Sequence, residues 1–234
     1  MQQGLAKGDR AVILSLDCNE YLETIYALSK IGAVVVPINY MLTPKDMIYM
    51  CHNAGAKAMF AGKGYNQLVN TMKNDLSTVE RFISFIPVEG MENYDALLDK
   101  TGTEEPQIKI ADQDNVAICY TSGTTGLPKG VVLTHGYWTQ GPVILGPELG
   151  FRPHGVYYSG LPLFHASGIL MTTSAIYNGN SVVLLERFDV EAVIYGHPDI
   201  LEVAVVGIPD QQKGEKILAV AALELCVPLI HAVA

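Results

Sequence analysis

Residues 115–135 read NVAICYTSGTTGLPKGVVLTH. Val116–Tyr120 and Val131–Thr134 are apolar and rich in β-branched or aromatic residues, which predicts two strands joined by a loop of hydroxyls and glycines. Gly123, Gly126 and Gly130 let successive backbone N–H groups turn into one concavity, a nest suited to anionic oxygens. Thr121, Ser122, Thr124 and Thr125 add hydroxyl donors, and Lys129 adds a mobile positive charge behind the stiffening Pro128. The loop therefore suits a polyphosphate. Two familiar phosphate loops are excluded. A P-loop needs glycine where Pro128 stands and Ser or Thr where Gly130 stands, while a dinucleotide loop needs GxGxxG opening a helix. An ordinary hairpin loop is the competing interpretation of such a composition.

The 234 residues suffice for one large domain or two small ones. A hydrophobic content of 49% and a mean hydropathy of +0.23 indicate a packed core rather than disorder. A net charge of −9 without a basic run argues against a nucleic-acid surface. Cys18, Cys51, Cys119 and Cys226 are scattered with no CxxC pair, as expected for reduced thiols in a cytoplasmic protein. The polar start carries no signal-peptide pattern, and the apolar stretch Ile217–Ala234 is interrupted by Glu224, Pro228 and His231. No membrane span is expected.

Ahead of the loop, strands and helices alternate. Asp9–Leu16 is expected to be a strand, followed by a helix capped by Asn19 with Leu22, Ile25, Tyr26 and Ser29 on one face. Ala33–Ile38 is a second strand. Thr43-Pro44-Lys45-Asp46 starts a helix with a cap, a proline at its first position and an acid at its third; Met47, Ile48 and Cys51 form its stripe, and Gly55 follows its end. Ala56–Ala61 and Arg81–Ile86 are further strands, Asn66–Lys73 and Tyr94–Leu98 helices, and Thr101–Gln107 an exposed loop. The order predicts an α/β fold with a mainly parallel sheet.

TSGTTGLPKG, with Tyr120 before it and Thr134-His135 after it, closely resembles the phosphate-binding signature of the adenylate-forming (AMP-dependent synthetase/ligase) superfamily, and of its acyl-CoA synthetases in particular. Residues 4–60 resemble the start of the large domain of such enzymes. Tyr157–Gly168 (YYSGLPLFHASG) is similar to the family's next signature, and Ser181–Glu186 to the strand that follows. The resemblance implies a partial large N-terminal domain over residues 1–189, of stacked sheets flanked by helices, and a fragment of a small α+β C-terminal domain over 190–234. It implies an ATP-dependent carboxylate–CoA ligase working through an acyl-adenylate, with ATP, Mg²⁺ and CoA as cofactors and a small carboxylic acid as substrate. In that resemblance Thr121, Ser122, Gly123, Thr124, Thr125, Gly126 and Lys129 hold the nucleotide and Thr121 reaches the metal. Lys129 and His165 serve catalysis, His165 from beside the acyl pocket.

The pattern then breaks. The family's YGxTE-like and TGD signatures, its interdomain hinge and its late C-terminal lysine have no counterpart, and Lys213 and Lys216 lie too early to replace that lysine. Val190–Asp210 resembles the start of the small domain, which puts a junction near 187–191, and the similarity is expected to fade after Leu223. Two further classes remain: a remnant that binds nucleotide without turnover, and a Walker-type NTPase, which the loop spacing disfavours. The oligomeric state is left open, with a homodimer among the options.

Overall fold

The computed structural model describes residues 4–121 and 126–186, and the strands at 200–210, 214–223 and 229–232. The chain divides into two compact units, Met1–Glu186 and Arg187–Ala234.

In the first unit, β1 (Arg10–Leu14), α1 (Asn19–Lys30), β2 (Val34–Pro37), α2 (Pro44–Ala54), β3 (Ala56–Ala61), α3 (Asn66–Met72) and β4 (Arg81–Ser84) alternate along the chain. A short β5 (Glu92–Asn93) and α4 (Tyr94–Leu98) follow. Next come β6 (Asn115–Thr121), β7 (Lys129–Thr134), α5 (His135–Glu148), β8 (Val156–Ser159), α6 (Ala166–Tyr177) and β9 (Ser181–Leu184). Seven strands form one sheet in the order β5-β4-β3-β1-β2-β6-β7, and every neighbouring pair is parallel except β6 with β7. β8 and β9 pair in parallel as a separate two-stranded sheet. This is the α/β, parallel-dominant architecture that the alternation predicts.

The sheet is covered on both faces, which is why β1 and β2 are continuous apolar runs rather than alternating ones. Successive residues of β1 feed opposite cores. Ala11 and Ile13 pack with Tyr21, Ile25 and Leu28 of α1, whereas Val12 and Leu14 pack with Met47, Met50 and Cys51 of α2 and Val69 of α3. The expected face of α1 is off by one position. Ile25 is buried as expected, but its buried companions are Tyr21, Thr24 and Leu28, and the helix is entered from Cys18 rather than capped by Asn19. The centre of the buried stripe is set by where the sheet lies, and the Thr24 hydroxyl fits there because it donates to the Glu20 carbonyl at 2.6 Å.

α2 follows its sequence signals closely. Thr43 Oγ1 accepts from the Asp46 N–H at 3.3 Å, Pro44 opens the helix, and Gly55 closes it at φ 61°. The expected stripe gains Met50 and Ala54, and Ile48 is only half-buried. Arg10 donates from Nε to the Ala54 carbonyl at 2.7 Å and from Nη2 to the Gly55 carbonyl at 2.5 Å, so a β1 side chain caps the helix end. β4 stops at Ser84 rather than Ile86. Arg81 pairs with Glu92 across β4 and β5.

In the second unit β10 (Ile200–Asp210), β11 (Gly214–Leu223) and β12 (Leu229–Ala232) form an antiparallel sheet in that order. The expected junction near 187–191 and Lys213 lie outside the described residues.

The left-handed backbone at Gly55 yields a stability test. A Cβ there would lie 2.6 Å from Arg10 Nη2 as well as strain the turn. Gly55→Ala is expected to lower the unfolding free energy by roughly 1–2 kcal/mol, measured by urea denaturation. An unchanged midpoint would contradict this helix end.

Candidate functional site

β6 leaves the sheet at its exposed end and returns as β7, in the register Cys119 with Val131, Tyr120 with Gly130 and Thr121 with Lys129. β7 is longer than the sequence predicts. It begins at Lys129, so the lysine belongs to the ladder. The Thr121 hydroxyl reaches toward the Lys129 carbonyl at 3.5 Å, and both residues are exposed. The hairpin is tied down one residue earlier, where the Tyr120 hydroxyl donates to Asn53 Oδ1 at 2.7 Å on α2.

A cavity of about 440 Å³ opens at the carboxyl ends of β2 and β6. Asn39, Asp46, Tyr120, Thr121, Phe164 and His165 are among its walls, and Gly126 and Pro128 border it from the loop. Parallel sheets place ligands beyond the carboxyl ends of their strands, where loops converge on exposed backbone. Of the expected site residues, Thr121, Gly126 and His165 therefore meet around one space. Lys129 stands across the ladder from Thr121 without walling the cavity, and Ser122, Gly123, Thr124 and Thr125 lie outside the described residues.

His165 arrives on a tightly built turn. It occupies the cap position of α6 with extended backbone, donates its N–H to the Pro162 carbonyl at 3.0 Å, and accepts from the Ile169 N–H at 3.1 Å. The turn packs so closely over α6 that a Cβ on Gly168 would fall 2.1 Å from the Pro162 oxygen, so glycine is required there. Phe164 meets Tyr40 edge-on at 5.0 Å between centroids, and the His165 ring lies 4.5 Å from Phe164. Leu163 is fully buried, and its N–H donates to the Asp17 carboxylate at 2.9 and 3.2 Å.

Sequence reasoning passed over Asp17 and Asn39, and took Tyr120 only as the residue preceding the loop signature. Asp17 carried a signal, a lone acid just past the carboxyl end of a buried strand. It is 4% exposed, and burial pushes its carboxyl up to about 6 against the opposing pull of the Leu163 N–H.

The oxygens of the described lining residues do not make up a complete metal shell. The Thr121 hydroxyl is exposed, but the one carboxylate among the described lining residues, Asp46, already accepts from Thr43 Oγ1 at 2.6 Å. Among the described residues no cluster of three His, Cys, Asp or Glu side chains is arranged for a metal, and no helix is long and apolar enough to cross a membrane.

Comparison with known proteins gives the family. Residues 1–200 match the family described as AMP-binding enzyme, and residues 189–233 match the AMP-binding enzyme C-terminal domain. The chain belongs to the AMP-binding enzyme family. The second match also corrects the expectation that similarity fades after Leu223, since it runs on through 224–233. The chain is 28% identical over 219 residues to the acyl-CoA ligase sidI of Beauveria bassiana, covering 88% of this chain and 38% of that protein. It is 30% identical over 193 residues to the indoleacetate–CoA ligase of Aromatoleum aromaticum, covering 81% of this chain and 38% of the relative. The inhibitor-bound N-terminal domain of FACL13 from Mycobacterium tuberculosis superposes with a TM-score of 0.71 at 27% identity, over 82% of this chain and 48% of that one. The chain thus spans well under half the length of the curated relatives it matches.

Asp17 supplies a pH test. It binds its proton more tightly folded than unfolded, so its contribution to stability is complete below 3.8 and is lost as pH rises through about 6. A rise from 3.8 to about 6 corresponds to an effect on the order of 3 kcal/mol. Between about pH 4 and pH 7 the parent chain is expected to lose on the order of 2–3 kcal/mol more than Asp17→Asn in urea unfolding. Identical pH dependence in the two chains would contradict a buried carboxyl at this position.

Proposed function

We propose that the chain carries the ATP-handling half of an AMP-forming carboxylate–CoA ligase. The observation that carries this is the β6–β7 hairpin opening onto a cavity that Thr121, Gly126 and His165 share. A substrate carboxylate attacks the α-phosphorus of ATP, giving an acyl-adenylate and pyrophosphate. The thiol of CoA then attacks the acyl carbonyl and AMP leaves. In the first step the main demand is charge stabilisation on the departing pyrophosphate, because a phosphoryl transition state asks for positioning and electrostatics rather than covalent help.

The hairpin meets that demand. The segment Thr121, Ser122, Gly123, Thr124, Thr125 and Gly126 offers backbone N–H groups and hydroxyls to the β- and γ-phosphates, and Lys129 adds a charge at the hairpin's second arm. Mg²⁺, when bound with ATP, neutralises phosphate charge, and the Thr121 hydroxyl is the ligand this chain offers it. His165 borders the acyl side of the cavity. The names of the relatives, acyl-CoA ligase and indoleacetate–CoA ligase, support a carboxylic acid as the second substrate. We place the boundary between large-domain and small-domain sequence at 189/190, and the protein in the cytoplasm, in keeping with its scattered cysteines.

A second reading has its own support. Val131, Val132, Ile144, Val156 and Tyr177 are 46%, 50%, 63%, 58% and 64% exposed, an apolar surface that a longer relative has more chain to cover. In that reading the chain binds nucleotide and turns nothing over.

Carboxylate-dependent exchange of labelled pyrophosphate into ATP separates the two. The intact 25.3 kDa chain is expected to catalyse exchange, and Lys129→Ala to reduce it roughly 10- to 100-fold, since a charge-assisted contact contributes about 1.5–3 kcal/mol. No exchange with aliphatic or aryl carboxylates would favour the non-catalytic reading. ATP hydrolysis that needs no carboxylate would remove the ligase assignment.

A further inference from the structure

From outside its own segment the turn that carries His165 meets Tyr40, which packs on Phe164, and Asp17, which holds its backbone. Asp17 lies 146 residues earlier in the sequence, in the loop leaving β1, and both of its oxygens face the Leu163 N–H. β1 is buried on both faces, which makes the loop that leaves it a rigid platform. Leu163, Phe164 and Gly168 are buried around the turn, so the backbone from 162 to 168 has little room to settle elsewhere. His165 itself is exposed and borders the cavity. A rigid turn under an exposed imidazole is what a site needs when the side chain has to meet a substrate in one place.

We propose that Asp17 is a positioning residue for His165: by fixing the Leu163 N–H it sets the turn that presents the imidazole to the cavity. The proposal rests on the role given to His165 under the proposed function. Without an acceptor the Leu163 N–H is left buried and unpaired, and the turn shifts to find one. Several groups surround the carboxylate. From its own loop and α1 come Cys18, Glu20 and the Tyr21 phenol, which is buried without a hydrogen-bond partner among the described residues. Lys63 after β3 and Glu186 after β9 line the same recess, and Cys119 on β6 lies behind Tyr21. Lys63 is exposed, so a cation sits within the recess but not against the buried oxygens.

The test uses the full chain, isotopically labelled for NMR, with the His165 ring resonances assigned by their loss in His165→Gln. In the parent, the Leu163 amide proton is expected far downfield at neutral pH and to move upfield as Asp17 protonates, with the His165 backbone amide following the same midpoint. Asp17→Asn, which keeps an acceptor oxygen, is expected to leave the His165 ring near its parent position at neutral pH and to remove that shared titration. Asp17→Ala is expected to displace both signals. Its pyrophosphate exchange is expected to fall roughly 10- to 100-fold with the KM for ATP within about twofold, and Asp17→Asn to restore most of it. A merely structural role would lower the folded fraction of Asp17→Ala without moving the His165 ring in the molecules that remain folded. A His165 amide that shares no midpoint with the Leu163 amide in the parent, or that keeps such a midpoint in Asp17→Asn, would overturn the proposal, and neither reading needs Asp17→Ala to fold. A parent chain without exchange activity would overturn the proposed function instead, and leave the resonances to decide this inference.

Discussion

The pairing of β6 against β2, with Ala117 beside Val35, is the constraint on which the site depends. β6 is the last parallel strand of the sheet and the first arm of the hairpin, so the sheet's core fixes the direction in which the loop leaves. Val116 and Ala117 are fully buried, while Thr121, five residues after Val116, is exposed. Within one strand the chain passes from a packed interior to a solvent-facing mouth. The Tyr120 hydroxyl on Asn53 pins that crossing to α2, the helix whose residues Asp46 and Met50 also wall the cavity.

The other side of the cavity is built differently. His165 does not come from a strand of the main sheet but from the turn before α6, and that turn borrows its stability from β1 through Asp17 and from Tyr40 through Phe164. The hairpin and the histidine are thus anchored to the same two-sided core by separate routes. Two independently anchored elements, the hairpin and the turn before α6, thereby border one space.

Much of this was legible because local signals and burial agree. Thr43-Pro44-Lys45-Asp46 marked the start of α2 and Gly55 its end, and Ala56–Ala61 is β3 at the predicted bounds. Two long helices were not legible. α5 contains Pro142 and Pro147 together with Gly136, Gly141 and Gly146, a composition that reads as loop; it persists because it packs on α6, where Asn178 Nδ2 donates to the Pro142 carbonyl at 3.2 Å. α6 is apolar on most sides and carries Thr173 and Ser174 in its buried face. Their hydroxyls bond the Ile169 and Leu170 carbonyls one turn back, so no polar period betrays the helix. In the site, the loop could be read from residue types and the PLFH segment only through its resemblance to the family's signature, but the Asp17–Leu163 contact could not be read at all. It joins positions that only the folded sheet brings together.

The central claim is that the hairpin grips the tail of ATP. Hydrogen–deuterium exchange of the peptide spanning 121–130, with and without millimolar Mg·ATP, tests it most directly, since a phosphate nest occupies those backbone N–H groups. Slower exchange there on adding nucleotide, with β1 and β3 unchanged, is the predicted result. Exchange that stays the same across 121–130 at saturating Mg·ATP would contradict the account.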